Sequence, residues 1–331
     1  MGHSSSTGYS KVALAQWYLE GVRTYGSSGF NESAKSFKPT DLADMAGKVV
    51  LITGSNKGLG FTAATELAKL HAEVHLACRD IVKGNEARDK IIAETKNEKV
   101  FSHQCDVSNY GNVRSFAATF LQKVPKLDVL VNNAGAMPMQ RTLTEEGNES
   151  INAVALGGTH LLTDLMMPAL RAARGRVINV SSGGMYPVRL DPNDLYCNRI
   201  SKYDGTLFYA FAKRMQVELT ELWAARVSES TGVTVNAMHP GWSTTDAVME
   251  SMGDFHKQNQ QSFRDVLQGA DTIVFLASSQ DERVVGKTGL FWFDRQPRRT
   301  HMPLGGTVLS EEEKETLWKN ACEAVGGITN A

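Results

Sequence analysis

The 331-residue chain is 42% hydrophobic and 21% charged, an ordinary globular composition with room for one large α/β domain or two small ones. A formal net charge of -1 excludes a broad positive field that would hold nucleic acid or acidic lipid, leaving only local basic patches. Four scattered cysteines (Cys78, Cys105, Cys197 and Cys322) show no C-x-x-C pairing, which argues against a metal site or disulfide framework and fits a reducing compartment.

Met1-Gly2-His3-Ser4-Ser5-Ser6 fits the pattern for myristoylation of Gly2, against the plainer reading of a flexible Ser-rich start. The charged-then-apolar layout of a secretory signal is missing, and no run of 18 apolar residues marks a spanning helix. A cytoplasmic location is expected, with peripheral membrane contact through the N-terminus as the lesser alternative. Residues 11–23 predict a short helix with Val12, Ala15, Leu19 and Val22 on one face, expected to pack against the domain.

From residue 47 to 293, short apolar runs alternate with longer amphipathic stretches. Strands are predicted over 49–52, 74–77, 100–104, 129–131, 176–180, 233–238 and 289–293. Helices are predicted over 60–71, 82–95, 113–124, 144–172, 206–228 and 263–277. This alternation predicts an α/β fold, a doubly wound parallel sheet of the Rossmann type with seven strands. Its continuous apolar strands suit a sheet covered on both faces. Residues 186–205 and 242–261 read as functional loops, and 311–323 as a C-terminal helix. The chain thus divides into an N-terminal extension (1–45), a catalytic domain (46–310) and a C-terminal helix and tail (311–331).

Between the first strand and first helix lies Thr53-Gly54-Ser55-Asn56-Lys57-Gly58-Leu59-Gly60. Glycines there allow a tight turn and close approach of backbone to a pyrophosphate, which the helix N-terminus then holds. The residue ending the second strand selects the dinucleotide. NAD usually needs an acid there, whereas this chain has Arg79, whose planar fork suits a 2′-phosphate. Lys57 could reach the same phosphate, and Asp80 comes slightly too late for the ribose role. NADP(H) is therefore the expected cofactor, and no metal is called for.

Further motifs follow in order. Asn132-Asn133-Ala134-Gly135 ends the fourth strand, and Ser181-Ser182 the fifth. Tyr209-x-x-x-Lys213 lies on a helix, and Pro240-Gly241-Trp242-Ser243-Thr244-Thr245 follows the sixth strand. Together with the glycine fingerprint, this series resembles the short-chain dehydrogenase/reductase family. The resemblance implies hydride transfer between a nicotinamide and a carbonyl or alcohol. It extends the cofactor site from the glycine loop and Arg79 to Asp106, Val107, Asn133, Ala134, Gly135, Tyr209, Lys213, Pro240, Gly241 and Thr245. It also places Ser182, rather than Ser181, at the reacting oxygen.

Elementary chemistry agrees. A phenol with a pKa of about 10 is a poor base at neutral pH, and a nearby ammonium favours its phenolate. A spacing of four sets Tyr209 and Lys213 on one helical face. Lys213 would then tune Tyr209 and hold the ribose, while Ser182 donates to the oxyanion. One position departs from the family pattern. Ala155 stands where the resemblance implies an asparagine that holds a proton-relaying water, and Asn152 could substitute only if the helix is irregular. That loss keeps open a rival reading, a catalytically weak NADP(H)-binding scaffold or redox sensor. Met185, Trp242, Met249, Met252 and Phe255 suggest an apolar pocket mouth, and the resemblance suggests lipid aldehydes, retinoids or steroids as substrates. A homo-oligomer is left open.

Overall fold

Strands with apolar side chains on both faces need cover on both, and the chain supplies it. The computed structural model describes residues 8–227, 229–244, 262–328 and 330. One sheet contains β1 (Val49–Thr53), β2 (Glu73–Cys78), β3 (Val100–Gln104), β4 (Val129–Asn132), β5 (Arg176–Val180), β6 (Thr234–Met238), β7 (Phe291–Phe293) and β8 (Gln296–Arg298). The strand order is β3-β2-β1-β4-β5-β6-β7-β8. All neighbours are parallel except β7 and β8. Helices α3 (Gly58–Lys69), α4 (Ile81–Thr95), α5 (Tyr110–Lys123), α6 (Ser150–Ala155), α7 (Thr163–Ala173), α8 (Gly205–Arg226) and α9 (Val266–Ser278) flank the sheet.

Alternate residues of each inner strand feed the two faces. Leu51, Leu130, Val177 and Val235 pack with α5 and α8, whereas Val50, Ile52, Val129, Val131 and Ile178 pack with α3 and α9. The order reverses between β1 and β4. Ligands of such sheets sit in the crevice at the carboxyl ends of those strands.

The expected doubly wound sheet forms, with one strand more than the seven expected. β8 returns antiparallel through Asp294 and Arg295, both with positive φ (50° and 58°). A two-residue loop of this kind favours glycine or asparagine, so the Asp-Arg pair gave no hairpin signal. Ion pairs hold the conformation instead: Arg295 pairs with Asp271 (2.6 Å) and Asp41 (3.1 Å).

The predicted long helix over 144–172 is corrected in two ways. It starts at Ser150, where the buried Glu149 side chain accepts from the N–H groups of Ile151 and Asn152. It then runs as α6 (Ser150–Ala155), a π-helical segment (Leu156–Leu162) and α7 (Thr163–Ala173). Gly157 sits in the widened segment against the Val107 carbonyl, where a Cβ would lie 1.8 Å from the oxygen. The whole of Ser150–Ala173 is long and apolar enough to cross a bilayer, yet most of it is buried in the core.

The N-terminal helix α1 (Lys11–Thr24) forms, capped by the Ser10 hydroxyl. Its docked face is the opposite of the expected one. Val12, Leu19 and Val22 are 49%, 62% and 57% exposed, and Ala13 and Gly21 are buried. Small residues win because they let the helix approach closely: a Cβ on Gly21 would lie 2.7 Å from the Trp242 ring. Arg264 locks this arrangement. It is buried, pairs with Asp294 through both guanidinium ends (2.5 and 2.9 Å), and donates to the carbonyls of Thr24 and Tyr25 at the end of α1. Removing one partner of a buried pair strands the other charge. Asp294→Ala should therefore cost about 3 kcal/mol of unfolding free energy in a denaturant titration. A loss below about 1 kcal/mol would show that the pair is dispensable.

Candidate active site

The glycine loop follows β1. Gly54 and Gly58 have φ of +63° and +58°, which disfavours any side chain. A Cβ on Gly60 would lie 2.4 Å from the Asn133 amide nitrogen, so loop and β4 end interlock. Asn133 Nδ2 donates to the carbonyls of Thr53 (2.9 Å) and Gly54 (3.1 Å), while Thr53 Oγ1 accepts from the N–H groups of Asn133 and Ala134. The Asn133 side chain thus shapes the loop. Ser55 turns inward and donates to the Ile52 carbonyl. Helix α3 begins at Gly58 with no side-chain cap on its first N–H groups, and a Cβ at Gly58 would meet nothing within 4 Å. Uncapped N–H groups beside open space are the donor set that a pyrophosphate requires, so the loop fits a dinucleotide.

At the end of β2, Arg79 is exposed and its guanidinium forms no ion pair among the described residues. Asp80 is already committed: it caps α4 by accepting from the N–H groups of Val82 and Lys83. Asp106 accepts from the N–H and hydroxyl of Ser108, which occupies its carboxylate in a local turn, and Val107 is buried.

Beyond β5 the two serines divide. Ser181 is buried and donates to the Lys213 carbonyl (2.8 Å), fixing α8 against the sheet. Ser182 lies beside Tyr209, and its hydroxyl accepts from the Gly184 N–H (3.1 Å). Tyr209 is half-buried, and burial pushes its pKa up to about 12, with the Ser182 contact drawing it back down. Lys213 Nζ lies 5.3 Å from the centre of the Tyr209 ring. Burial brings the Lys213 pKa down to about 7. Gly135 abuts the same ammonium, with a Cβ position 3.5 Å from Nζ. A small cavity joins these groups, walled by Gly135, Ala155, Tyr209, Lys213 and Gln216 among others.

After β6, Gly241 has φ +76°, and a Cβ there would lie 2.4 Å from Arg264 Nε. The half-buried Pro240 precedes it. Thr245, Met249, Met252 and Phe255 lie outside the described residues.

Two expectations about this region change, and one feature was not foreseen. Asn152 is buried on another side of its helix and donates to Glu149 and Cys197 Sγ, so it does not replace an amide at position 155. Met185 is fully buried beside Arg214 instead of standing at a pocket mouth. The aromatic wall near the serines comes partly from the N-terminal segment, which sequence reasoning missed. A Cβ on Gly183, next to Ser182, would lie 3.2 Å from Trp17 Nε1 and 3.3 Å from both Tyr25 and His239. Trp242 crosses Trp17 edge-on (6.4 Å) and Tyr25 (5.8 Å). The signal available was the recurrence of aromatic residues in and just after a short helix, with nothing to say which way they faced.

Residues 48–191 match the family described as short chain dehydrogenase. The human dehydrogenase/reductase SDR family member 12 is 41% identical over 303 residues, covering 91% of this chain and 94% of the relative. The chain belongs to the short-chain dehydrogenase/reductase family. Retinol dehydrogenase 12 of Mus musculus is 33% identical, covering 87% of this chain and 89% of its own. Among solved structures, an uncharacterized protein from Mycobacterium Paratuberculosis superposes with a TM-score of 0.68 at 27% identity, covering 88% of this chain and 98% of the other. As a short-chain dehydrogenase/reductase, the protein is an oxidoreductase that works with a nicotinamide cofactor on CH–OH or C=O groups.

Proposed function

We propose that this short-chain dehydrogenase/reductase uses NADP(H) to interconvert apolar carbonyls and alcohols, with Tyr209, Lys213 and Ser182 as its reaction centre. The observation that carries the proposal is the meeting of a phenol, an ammonium and a hydroxyl at the switch point of the sheet, beside the glycine loop. When bound, the nicotinamide supplies or accepts hydride at the substrate carbon. Ser182 donates to the substrate oxygen and Tyr209 gives it a proton as negative charge develops. Lys213, close to the ring, lowers the free energy of the phenolate left behind. Alcohol oxidation reverses the proton's path.

The uncommitted Arg79 supports the phosphorylated cofactor, since the neighbouring acid is used as a helix cap. Trp17, Tyr25 and Trp242 support an apolar substrate, as does the name of the retinol dehydrogenase relative. A panel of nonanal, all-trans-retinal and a steroid ketone, followed by NADPH oxidation, tests both points. The rival, a cofactor-holding protein with little turnover, rests on Ala155. It gains ground if NADPH binds but no member of the panel is reduced.

Reduction needs a neutral Tyr209 and a charged Lys213. In the free enzyme the lysine loses its proton as pH rises through about 7, while the phenol keeps its own to about 12. The expected kcat/KM for reduction is therefore highest below about pH 7 and falls above it. A profile that stays flat to pH 9 would contradict this assignment of the lysine.

A further inference from the structure

Burying an ammonium calls for acceptors, and Lys213 has two. Its Nζ donates to the Val180 carbonyl (2.7 Å) and to Gln216 Oε1 (2.9 Å). Gln216 is 2% exposed and lies one turn further along α8, so Tyr209, Lys213 and Gln216 share a face at i, i+4 and i+7. The other end of its amide is also fixed. Gln216 Nε2 donates to Thr159 Oγ1 (2.9 Å), and Thr159 is fully buried in the π-helical segment. Thr159 follows Ala155 by four residues, and Ala155 lines the same cavity as Gln216, Lys213 and Tyr209.

We infer that Gln216 is the positioning residue for Lys213. Its carbonyl holds the ammonium, Thr159 orients the amide, and the pair supplies the polar side chain that position 155 lacks. This inference rests on the Tyr209–Lys213 reading above. With two N–H groups directed to Val180 and Gln216, one remains for a ligand in the cavity. An apolar residue would fill the same space without offering the ammonium an acceptor. The other elements packed around Lys213 present Val180, Gly135, Ala155 and Thr159, none of them ionisable. Tyr209 is the titratable neighbour.

The test uses the full chain, NADPH and all-trans-retinal or nonanal. Gln216→Leu keeps the volume and removes the acceptor. It should lower kcat by about 10- to 100-fold, the weight of one hydrogen bond to a buried charge. NADPH should bind several-fold more weakly by fluorescence titration, and the fall of reduction with pH should move to lower pH. Gln216→Glu, which restores an acceptor, should regain most of that loss and move the fall to higher pH. Ala155→Asn in the Gln216→Leu background should also recover activity, because it brings an amide into the same cavity. The inference is overturned if Gln216→Leu keeps the parent's kcat, NADPH affinity and pH profile. It is equally overturned if neither Gln216→Glu nor the added Ala155→Asn regains what Gln216→Leu loses. Tyr209→Phe, assayed in parallel, separates the two levels. If it is inactive while Gln216→Leu is not, only this inference fails; if it stays active, the reaction centre itself is misassigned.

Discussion

Tyr209→Phe is expected to lower turnover of every reducible carbonyl by about 10³-fold or more while NADPH affinity changes by less than about threefold. Positioned proton transfer contributes about 10² to 10⁴ in rate, and here the phenol lies beside Ser182 and within the lysine's field. Losing the hydroxyl leaves the ring, so the packing of α8 and the Lys213 contacts to Val180 and Gln216 persist. Cofactor binding should survive for that reason. Steady-state assays with fluorescence titration of NADPH check both halves. A variant that turns over at the parent's rate removes Tyr209 from the chemistry. One that also loses NADPH shows instead that the ring supports the fold of the site.

Arg79→Asp should change the preference for NADPH over NADH by about 10³-fold. A guanidinium on a phosphate makes charge-assisted bonds of about 1.5–3 kcal/mol each, and an aspartate there would repel the phosphate. The same aspartate would accept from the ribose hydroxyls of NADH. Arg79 is exposed and outside the packed core, so the exchange should leave stability nearly unchanged. Dissociation constants for both cofactors, measured side by side, decide the matter. Equal weakening of the two would remove the argument for a 2′-phosphate contact.

Much of the scaffold was legible because strand burial and helix periodicity are strong local signals. The apolar runs at Val49, Val129 and Arg176 became inner parallel strands, and the glycine loop stands between β1 and α3. What escaped depends on tertiary contact. The face on which α1 docks is chosen by Gly21 and Trp242, which are far apart in the chain, and Val12, Leu19 and Val22 point outward. The β7–β8 hairpin turns on Asp294 and Arg295, whose positive φ is held by ion pairs with distant residues. Helix periodicity gave no hint of the π-helical segment, which accommodates the Val107 backbone against Gly157.

The site shows the same division. The Tyr209–Lys213 spacing places both side chains on one face of α8, which follows from helix geometry alone. Gln216 continues that face, but an amide inside a helix gives no sign of its partners until Thr159 is brought opposite it. The absence of an asparagine at position 155 was readable. The buried amide that reaches Lys213 from further along α8 was not.

Transfer of a labelled hydride tests the central claim most directly. NADPH carrying deuterium at the transferring C4 position would be incubated with all-trans-retinal or nonanal and the parent protein, and the product alcohol weighed by mass spectrometry. One deuterium on the carbinol carbon, absent when Tyr209→Phe replaces the parent, is the predicted result. NADPH that binds yet gives no labelled alcohol from any carbonyl in the panel, or labelled alcohol formed equally well by Tyr209→Phe, would contradict it.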